Sequence, residues 1–377
     1  MIKSAFACAF LIFFLLRHLQ TKGGIELRKR TVIALISALF LACLLAACGQ
    51  EEANNSSEGA ADSNGDHASI EIGMLKLTSS APLFIALEKG YFEEEGIDAQ
   101  ASWFEAAQPI AVATAGGDVD VGATGITASL YNMVAGGEEL VIVADKGREQ
   151  EGYSSTALLV HSDSDIETIE DLKDKKVGIT QTGSTFHYMA GRLLEEHGLT
   201  SADVELVPVN SIPGLMETLQ SKQVDAVLLN EPNITMVLDE GYGKVIKQVG
   251  DVIDYQTSGI FFSKSFAGDT ETATKFLKAY AKATQYYYDA VLTKENGEIV
   301  SGENYDEVIQ IIAEYTDQEP AVIERGLPYM DRDGKLLASD IQTQIDWYAK
   351  EELIGAPVDA DKIVNTNLLD QALKELE

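Results

Sequence analysis

The sequence predicts an α/β protein built from two similar lobes, and three observations lead to this fold class. From Ile70 onward, short apolar runs alternate with longer amphipathic runs, which is typical of mostly parallel strands covered by helices. Two pairs of stretches match at a common spacing of 105 residues: Ile72–Met74 with Val177–Ile179, and Gly117–Val121 with Lys222–Ala226. The chain of 377 residues, 46% of them hydrophobic, is also long enough for two domains.

The N-terminal part of the chain has the pattern of an export signal with a lipid attachment site. A basic cluster at 28–30 precedes an apolar run that ends in small residues before Cys48, which is the layout of a signal peptide. The last four residues of this run, Leu-Ala-Ala-Cys, are similar to the lipobox of bacterial lipoproteins. We therefore expect a signal region at 1–47, with translation starting near residue 27, and lipidation of Cys48.

The segment 48–69 is predicted to be a lipidated cysteine followed by a flexible tether. It is polar and acidic and has almost no large apolar side chain, so it cannot order itself by burial. From residue 48 onward the chain has 22 basic and 59 acidic residues, a balance that repels nucleic acid and anionic lipid headgroups. We expect an extracytoplasmic protein, held at the cell membrane by its lipid alone, that does not bind nucleic acid.

The first pass, meaning the first of two similar series of strands and helices, begins at residue 70. A helix is predicted at 80–96, with Ser80 as its N-cap and Gly96 at its end. The remaining elements of this pass are strands at 70–77, 97–104, 119–125 and 140–147 and helices at 106–117 and 127–137. The short strands and intervening helices predict a mostly parallel sheet.

A second pass and a helical tail follow. The second pass contains strands at 175–180, 204–209, 224–230 and 242–250 and helices at 184–198, 213–222 and 232–241. Beyond it, the segment 270–292 places Phe276, Leu277, Tyr280 and Tyr287 on one helical face, and three more helical stretches follow. Because the stretches 155–163 and 255–266 are suited to cross between lobes, the sequence predicts lobe 1 at 70–158 plus 260–377 and lobe 2 at 159–259.

Four strand-to-helix turns carry the candidate binding residues. Ligands of open α/β sheets lie outside the carboxyl ends of the strands, where helices begin with free N–H groups that favour anions. The predicted binding residues at these turns are Ser79, Ser80, Thr124, Gly183, Ser184, Thr185, Asn230 and Glu231. The same short side chains also cap helices, so the pattern leaves open which of them do only that. Asp120 and Asp225 match each other across the repeat, which indicates a structural role.

An enzyme on the same fold is the alternative from another class. Ser184 and His187 are the one nucleophile and base pair at helical spacing, and no orienting third group accompanies them. The five histidines show no metal-ligand spacing, the body contains no cysteine, and no phosphate-binding loop motif occurs. We expect no cofactor, no metal and no catalysis.

The order of several motifs resembles one family of binding proteins. The motifs are Ala81–Ala86 followed by Glu88–Phe92 and Gly96, then Gly117–Asp120, Gly183–Thr185 with His187–Tyr188, Val224–Ala226 and Glu231–Pro232. Together they resemble the solute-binding proteins of bacterial ABC transporters of the nitrate/sulfonate/taurine type, which include binders of pyrimidine thiamine precursors. The resemblance covers about residues 70–235.

The resemblance implies a type 2 periplasmic-binding-protein fold, whose two lobes close on a small ligand by a hinge motion. It also implies an ABC permease, with its ATPase subunit, as partner of a monomeric protein. A sulfonate or taurine-like ligand is expected, and a hydroxymethylpyrimidine, nitrate or aromatic acid is the alternative. The residues leave open whether Trp103, Lys146, Arg148 or His187 contacts the ligand.

Overall fold

The computed structural model describes residues 67–356 and 358–377. The predicted signal region, the lipidation site Cys48 and all but the last residues of the predicted tether lie outside this part of the chain. The tether was expected to end at residue 69, but the first strand already begins at Ala68. No helix in the described part is both long enough and apolar enough to cross a lipid bilayer.

The described strands form two five-stranded sheets and a two-stranded ribbon. They are, in chain order, β1 (Ala68–Met74), β2 (Ile97–Trp103), β3 (Val121–Gly125), β4 (Val141–Glu149), β5 (Thr156–His161), β6 (Lys176–Ile179), β7 (Glu205–Pro208), β8 (Ala226–Asn230), β9 (Gly243–Gln248), β10 (Tyr255–Phe262), β11 (Lys294–Glu295) and β12 (Glu298–Ile299). The helices are α1 (Ala81–Glu88), α2 (Tyr91–Glu94), α3 (Ala107–Gly116), α4 (Ala128–Ala135), α5 (Thr185–Glu196), α6 (Ile212–Gln220), α7 (Asn233–Asp239), α8 (Lys264–Gly268), α9 (Thr270–Val291), α10 (Tyr305–Thr316), α11 (Pro320–Ile323), α12 (Ala338–Lys350) and α13 (Asn367–Leu376).

The two large sheets have the same arrangement. Sheet 1 has the order β2-β1-β3-β10-β4, and sheet 2 has the order β7-β6-β8-β5-β9. In each sheet the first three strands are parallel, whereas the crossing strand, β10 or β5, is antiparallel to both of its neighbours. The predicted two-lobed α/β fold is confirmed. Each sheet is mixed because the strand that enters it from the other lobe is antiparallel to its neighbours.

The predicted internal repeat is confirmed in atomic detail. The Glu71 amide donates to Asp120 Oδ2 at 3.0 Å, and the Lys176 amide donates to Asp225 Oδ2 at 2.8 Å. Each aspartate amide donates back to the backbone carbonyl of the same partner. In both lobes the bond ties a residue of one parallel strand to the residue before the neighbouring strand, so the two aspartates have the structural role that their symmetry predicted.

The two crossings lie earlier in the chain than the predicted lobe boundaries. The chain passes from β4 in sheet 1 to β5 in sheet 2 through 150–155, and returns from β9 to β10 through 249–254. The predicted boundaries, 158/159 and 259/260, therefore fall inside β5 and β10. Both crossing stretches were recognised, but their strands belong wholly to the lobe that they enter.

The predicted helix at 80–96 is two helices in the structure. Gly90 has a φ of 69°, a left-handed conformation that ends α1 and redirects the chain into α2.

The predicted face of α9 is confirmed, since Phe276, Leu277, Tyr280 and Tyr287 are all fully buried.

Helix α12 contacts both lobes, although the sequence placed it in lobe 1 alone. Its Trp347 ring packs edge-on against Tyr188 of α5 in lobe 2, with ring centroids 5.1 Å apart. Its Tyr348 packs against Tyr131 of α4 in lobe 1. The apolar aromatic face of α12 thus bridges the two lobes.

Gly191→Ala is expected to destabilise the protein by about 1–3 kcal/mol through overpacking. The added methyl group would lie 2.2 Å from Trp347 Cζ2 and would displace α12 from α5. Chemical denaturation measures the change. Gly268→Ala is the control, because no atom lies within 4 Å of its Cβ position. Equal unfolding midpoints for the two variants would contradict the described packing of α12.

Candidate functional site

A cavity of about 230 Å³ lies between the two sheets, and both lobes line it. It lies where the parallel strands of each sheet end and the following helices begin, as expected for ligand sites in open α/β sheets. Lobe 1 contributes Ser79, Thr124, Gly125, Lys146, Gly147 and Thr257, and lobe 2 contributes Ser155, Gly183, Ser184, Thr185, Asn210 and Asn230. These residues offer hydroxyl, amide and backbone groups, and other residues of the wall add apolar surface.

Six of the eight predicted binding residues line this cavity. They are Ser79, Thr124, Gly183, Ser184, Thr185 and Asn230. All four predicted turns contribute to its wall, the first through Ser79 alone and the last through Asn230 alone. The predicted turns thus lie at the edge of each sheet that borders the cavity, and ligand binding by them stays a prediction.

The placement of Ser80 and Glu231 was wrong, because neither lines the cavity. Ser80 is fully buried, and its hydroxyl donates to the Leu75 carbonyl at 3.0 Å. Glu231 turns back onto its own helix, where its Oε2 accepts a hydrogen bond from the Thr235 amide at 3.0 Å. Both side chains are satisfied within their own turns and are directed away from the cavity.

The start of α5 forms the lobe 2 side of the cavity. Ser184 is its N-cap, with Oγ accepting from the His187 amide at 3.2 Å. The His187 ring accepts from the Gly183 amide through Nδ1 at 2.9 Å and packs edge-on against Trp347. Burial lowers the pKa of His187. Ser184 Oγ therefore bonds to the backbone of His187 and not to its ring. The imidazole, which would have to activate a serine nucleophile, instead accepts a hydrogen bond from the Gly183 amide.

The two lobes touch directly beside the cavity. The Ala128 amide at the start of α4 donates to the Gly183 carbonyl at 3.0 Å. Gly183 has a φ of 77°, and a Cβ there would lie 2.9 Å from Ala128 Cβ. Glycine is required at this point both by its left-handed backbone and by the close approach of the opposite lobe.

Lys146 reaches the cavity because it lies on a β-bulge. The ladder between β4 and β10 passes from Gly147 paired with Ser258 to Asp145 paired with Gly259, which leaves Lys146 as the extra residue. Bulges next to binding sites change the direction of a side chain in this way. Lys146 Nζ donates to Ser79 Oγ at 2.9 Å, at the buried end of the cavity.

The Lys146 ammonium group has few partners. Its side chain is 1% exposed, and within the described residues it forms no ion pair and a single hydrogen bond out of the three an ammonium can donate. Burial lowers its pKa to about 7, and the charge of Asp145 only partly opposes this shift. The Asp145 carboxylate itself accepts from the amides of Gly147 and Asp331 and from Gln256.

A second polar group at the cavity lacks a partner. Thr124 is 1% exposed and lines the cavity, and its Oγ1 has no hydrogen-bond partner within the described part of the chain. Buried hydroxyls are normally paired, so an unpaired one marks a site that expects a ligand or a water molecule. Lys146 and Thr124 together provide unused donors on the lobe 1 side.

The open end of the cavity has a different character. Glu105 is exposed there and, with Lys146, is one of the two charged side chains that the described residues place on the wall. Elsewhere on the wall, apolar surface comes from Leu75, Leu77, Phe186, Met189 and Ile212. Trp103 lies elsewhere, against Phe84 and Tyr315. Arg148 also lies outside the wall, where it pairs with Asp331 at 3.5 Å.

Sequence reasoning left the role of Lys146 open and missed Glu105, Ser155 and Asn210. The one local signal for the bulge was Gly147, whose φ is 149°. Nothing in the local sequence marks Asn210, which follows β7 in the second lobe. No cluster of three His, Cys, Asp or Glu side chains suited to a metal ion occurs within residues 67–356 and 358–377.

Known proteins align with most of this chain. A protein of Bacillus subtilis (strain 168), whose name describes aliphatic sulfonates binding, is 24% identical over 92% of this chain and 98% of its own length. The alkanesulfonate-binding protein SsuA of Xanthomonas axonopodis pv. citri, bound to MOPS, superposes with a TM-score of 0.65 at 20% identity, covering 80% of this chain and 99% of its own.

Two further solved structures, of proteins whose names describe different functions, have the same fold. The nitrate-binding protein NrtA of Synechocystis PCC 6803 has a TM-score of 0.67 at 17% identity, covering 83% of this chain and 90% of its own. The desulfurization enzyme DSZB has a TM-score of 0.62 at 15% identity, covering 82% and 100%. At these identities the likeness establishes the periplasmic-binding-protein fold alone. The model of the NMT1-like family matches residues 63–301, more than half of the chain, and the chain belongs to that family.

Proposed function

We propose that this protein is the extracytoplasmic solute-binding component of an ABC importer and that it captures a small organic anion of the sulfonate or taurine type. The observation that carries this proposal is the buried Lys146 ammonium, which points into a cavity shared by two lobes and has donors to spare. A buried charge without an ionic partner is costly unless a ligand supplies one. The sulfonate-binding names among relatives of full length support the same class of ligand.

The size and wall of the cavity favour an organic anion over nitrate. One water molecule needs roughly 10–15 Å³ of such space, so a cavity of about 230 Å³ would leave a nitrate ion mostly surrounded by water. Phe186, Met189 and Ile212 offer apolar contacts to a hydrocarbon chain. An alkanesulfonate combines the strong anion with such a chain.

The distribution of charge also accommodates a zwitterion. Lys146 lies at the buried end and Glu105 at the open end of the same cavity. A taurine-like molecule would direct its sulfonate towards Lys146 and its ammonium towards Glu105. Because Glu105 is exposed, its contribution would be small, and the anionic group would dominate recognition.

Delivery to a membrane permease with its ATPase subunit completes the proposed role. The two lobes meet through the Ala128–Gly183 hydrogen bond, so closure creates a surface present only when the lobes are together. Such a surface lets a permease distinguish the closed protein from the open one. We further propose that the protein acts as a monomer and is anchored to the outer face of the cell membrane through lipidated Cys48.

Catalysis by Ser184 and His187 is disfavoured by their hydrogen bonds. Ser184 Oγ accepts from a backbone amide, and His187 Nδ1 accepts from another. A serine nucleophile needs the imidazole within hydrogen-bond reach of its hydroxyl, oriented by a third group. We therefore propose binding without chemistry, although the fold also occurs in a desulfurization enzyme.

A panel of ligands tests this proposal by thermal shift and calorimetry. Taurine and a series of alkanesulfonates should stabilise the protein, by about 2.7 kcal/mol when present at 100 times the dissociation constant. Nitrate, aromatic acids and hydroxymethylpyrimidine are the comparison compounds. Stabilisation by the pyrimidine or by nitrate with none from any sulfonate would contradict the proposed ligand class. Conversion of taurine or an alkanesulfonate to a product that lacks the sulfonate group would contradict the binding role.

A further inference from the structure

Lys146 has a property that simple anion binding does not require: it is buried in a place where its charge is poorly supported. Its Nζ donates only to the neutral hydroxyl of Ser79, and within the described residues it has no ion pair. Thr124 Oγ1, a buried polar atom without a partner in the described part of the chain, lines the same cavity. An amine in this position can be neutral when the cavity is empty, and a bound anion would favour its protonated form.

We propose that ligand capture is coupled to the uptake of one proton by Lys146, so that affinity is greatest at low pH, where sulfonates keep their negative charge and carboxylic acids begin to lose theirs. This inference rests on the proposed function and specifies its ligand chemistry. The proton comes from the buffer: the neutral amine and a buffer acid become the ammonium and the buffer base as the anion binds. A phosphate monoester titrates itself at about pH 6, so its binding would take fewer protons from the buffer.

The surrounding charges support this assignment. On β4, Asp145 accepts three hydrogen bonds and its charge only partly offsets the burial of Lys146, Arg148 pairs with Asp331, and Glu149 accepts from Ser154 and Ser155. The turn before α1 and strand β10 contribute hydroxyl groups. His187 on α5 is already bonded through Nδ1, and Glu105 lies at the exposed mouth.

The sign of the pH dependence follows from the amine. In the empty protein the pKa of Lys146 is lowered to about 7 by burial, and a bound anion raises it again. Affinity contributed by the ammonium is therefore complete below pH 7 and falls as pH rises. Uptake should be about 0.1 proton at pH 6 and about 0.9 at pH 8, with Kd rising up to about tenfold per pH unit above 7.

Calorimetric titration with ethanesulfonate at pH 6 and pH 8 tests the coupling. Tris, triethanolamine and imidazole are suitable buffers because they differ in ionisation enthalpy and are not anions, whereas sulfonate buffers would compete for the site. The slope of binding enthalpy against ionisation enthalpy gives the protons taken up. We expect nearly one proton at pH 8 and almost none at pH 6.

Two variants assign the proton. Lys146→Arg keeps a positive charge that does not titrate in this range, so it should bind with no proton uptake at pH 8, and Lys146→Met should lose both uptake and most affinity. Unchanged uptake in either variant would overturn the assignment and point to His187. Tight, pH-independent binding without uptake would overturn the coupling and leave the proposed function intact. Absence of any sulfonate binding would overturn the proposed function itself.

Discussion

Lys146→Met is expected to make the empty protein more stable and the binding site much weaker. The substitution removes a buried charge whose single partner is a hydroxyl group and keeps most of the side-chain volume. Loss of the charged partner should cost about 2–5 kcal/mol of binding free energy, or roughly 30- to 5,000-fold in Kd. Denaturation without ligand and titration with an alkanesulfonate measure the two effects.

The pH dependence of stability gives this prediction a second signature. Because the pKa of Lys146 is lowered to about 7, the unfolded chain holds a proton that the folded protein lacks between pH 7 and the usual lysine range. The free energy of unfolding therefore rises with pH across this window in the parent protein. The advantage of Lys146→Met should shrink correspondingly.

Lys264→Met is the matched control, because the Lys264 side chain is exposed and pairs with Glu139 on the surface. It should change neither Kd nor stability by more than about 0.5 kcal/mol. Reduced stability together with unchanged affinity in Lys146→Met would mean that the lysine is structural and that the anion binds elsewhere.

Gly183→Ala is expected to weaken ligand binding by preventing full closure. Its left-handed φ of 77° would cost an alanine about 1–2 kcal/mol, and the added methyl would also lie 2.9 Å from Ala128 Cβ in the other lobe. The two lobes would have to separate, and the Ala128–Gly183 hydrogen bond would lengthen. Kd should rise by at least tenfold, as measured by calorimetric titration.

Gly198→Ala separates the two causes. Gly198 has nearly the same φ, 76°, but no atom lies within 4 Å of its Cβ position. Both variants should lose similar stability, and only Gly183→Ala should lose affinity. Small-angle scattering should detect a more open average shape for ligand-saturated Gly183→Ala. Equal affinities in the two variants would show that closure does not pass through this contact.

The fold was predictable because it depends on regular patterns. Alternating apolar runs fixed the strands and helices, and the spacing of 105 residues joined them into two like lobes, down to the paired roles of Asp120 and Asp225. The lobe boundaries were less accurate, because which sheet a crossing strand joins depends on long-range pairing. The bridging position of α12 depends on where Trp347 packs, which periodicity does not encode.

The site was predictable at the level of turns and less so at the level of side chains. Free N–H groups and short polar residues identified the edge of each sheet that borders the cavity. Within one turn, however, Ser79 faces the cavity and Ser80 does not, because a 3₁₀ turn directs successive residues differently. Lys146 depends on a bulge set by the pairing of β4 with β10, more than a hundred residues apart in sequence.

A crystal structure of the protein with the tightest-binding sulfonate tests the central claim most directly. We predict the sulfonate oxygens at charged hydrogen-bond distance, about 2.7–2.9 Å, from Lys146 Nζ. Thr124 Oγ1 should donate to the same group, and both lobes should enclose the ligand. A sulfonate bound away from Lys146, with Lys146 still bonded to Ser79 alone, would contradict the account.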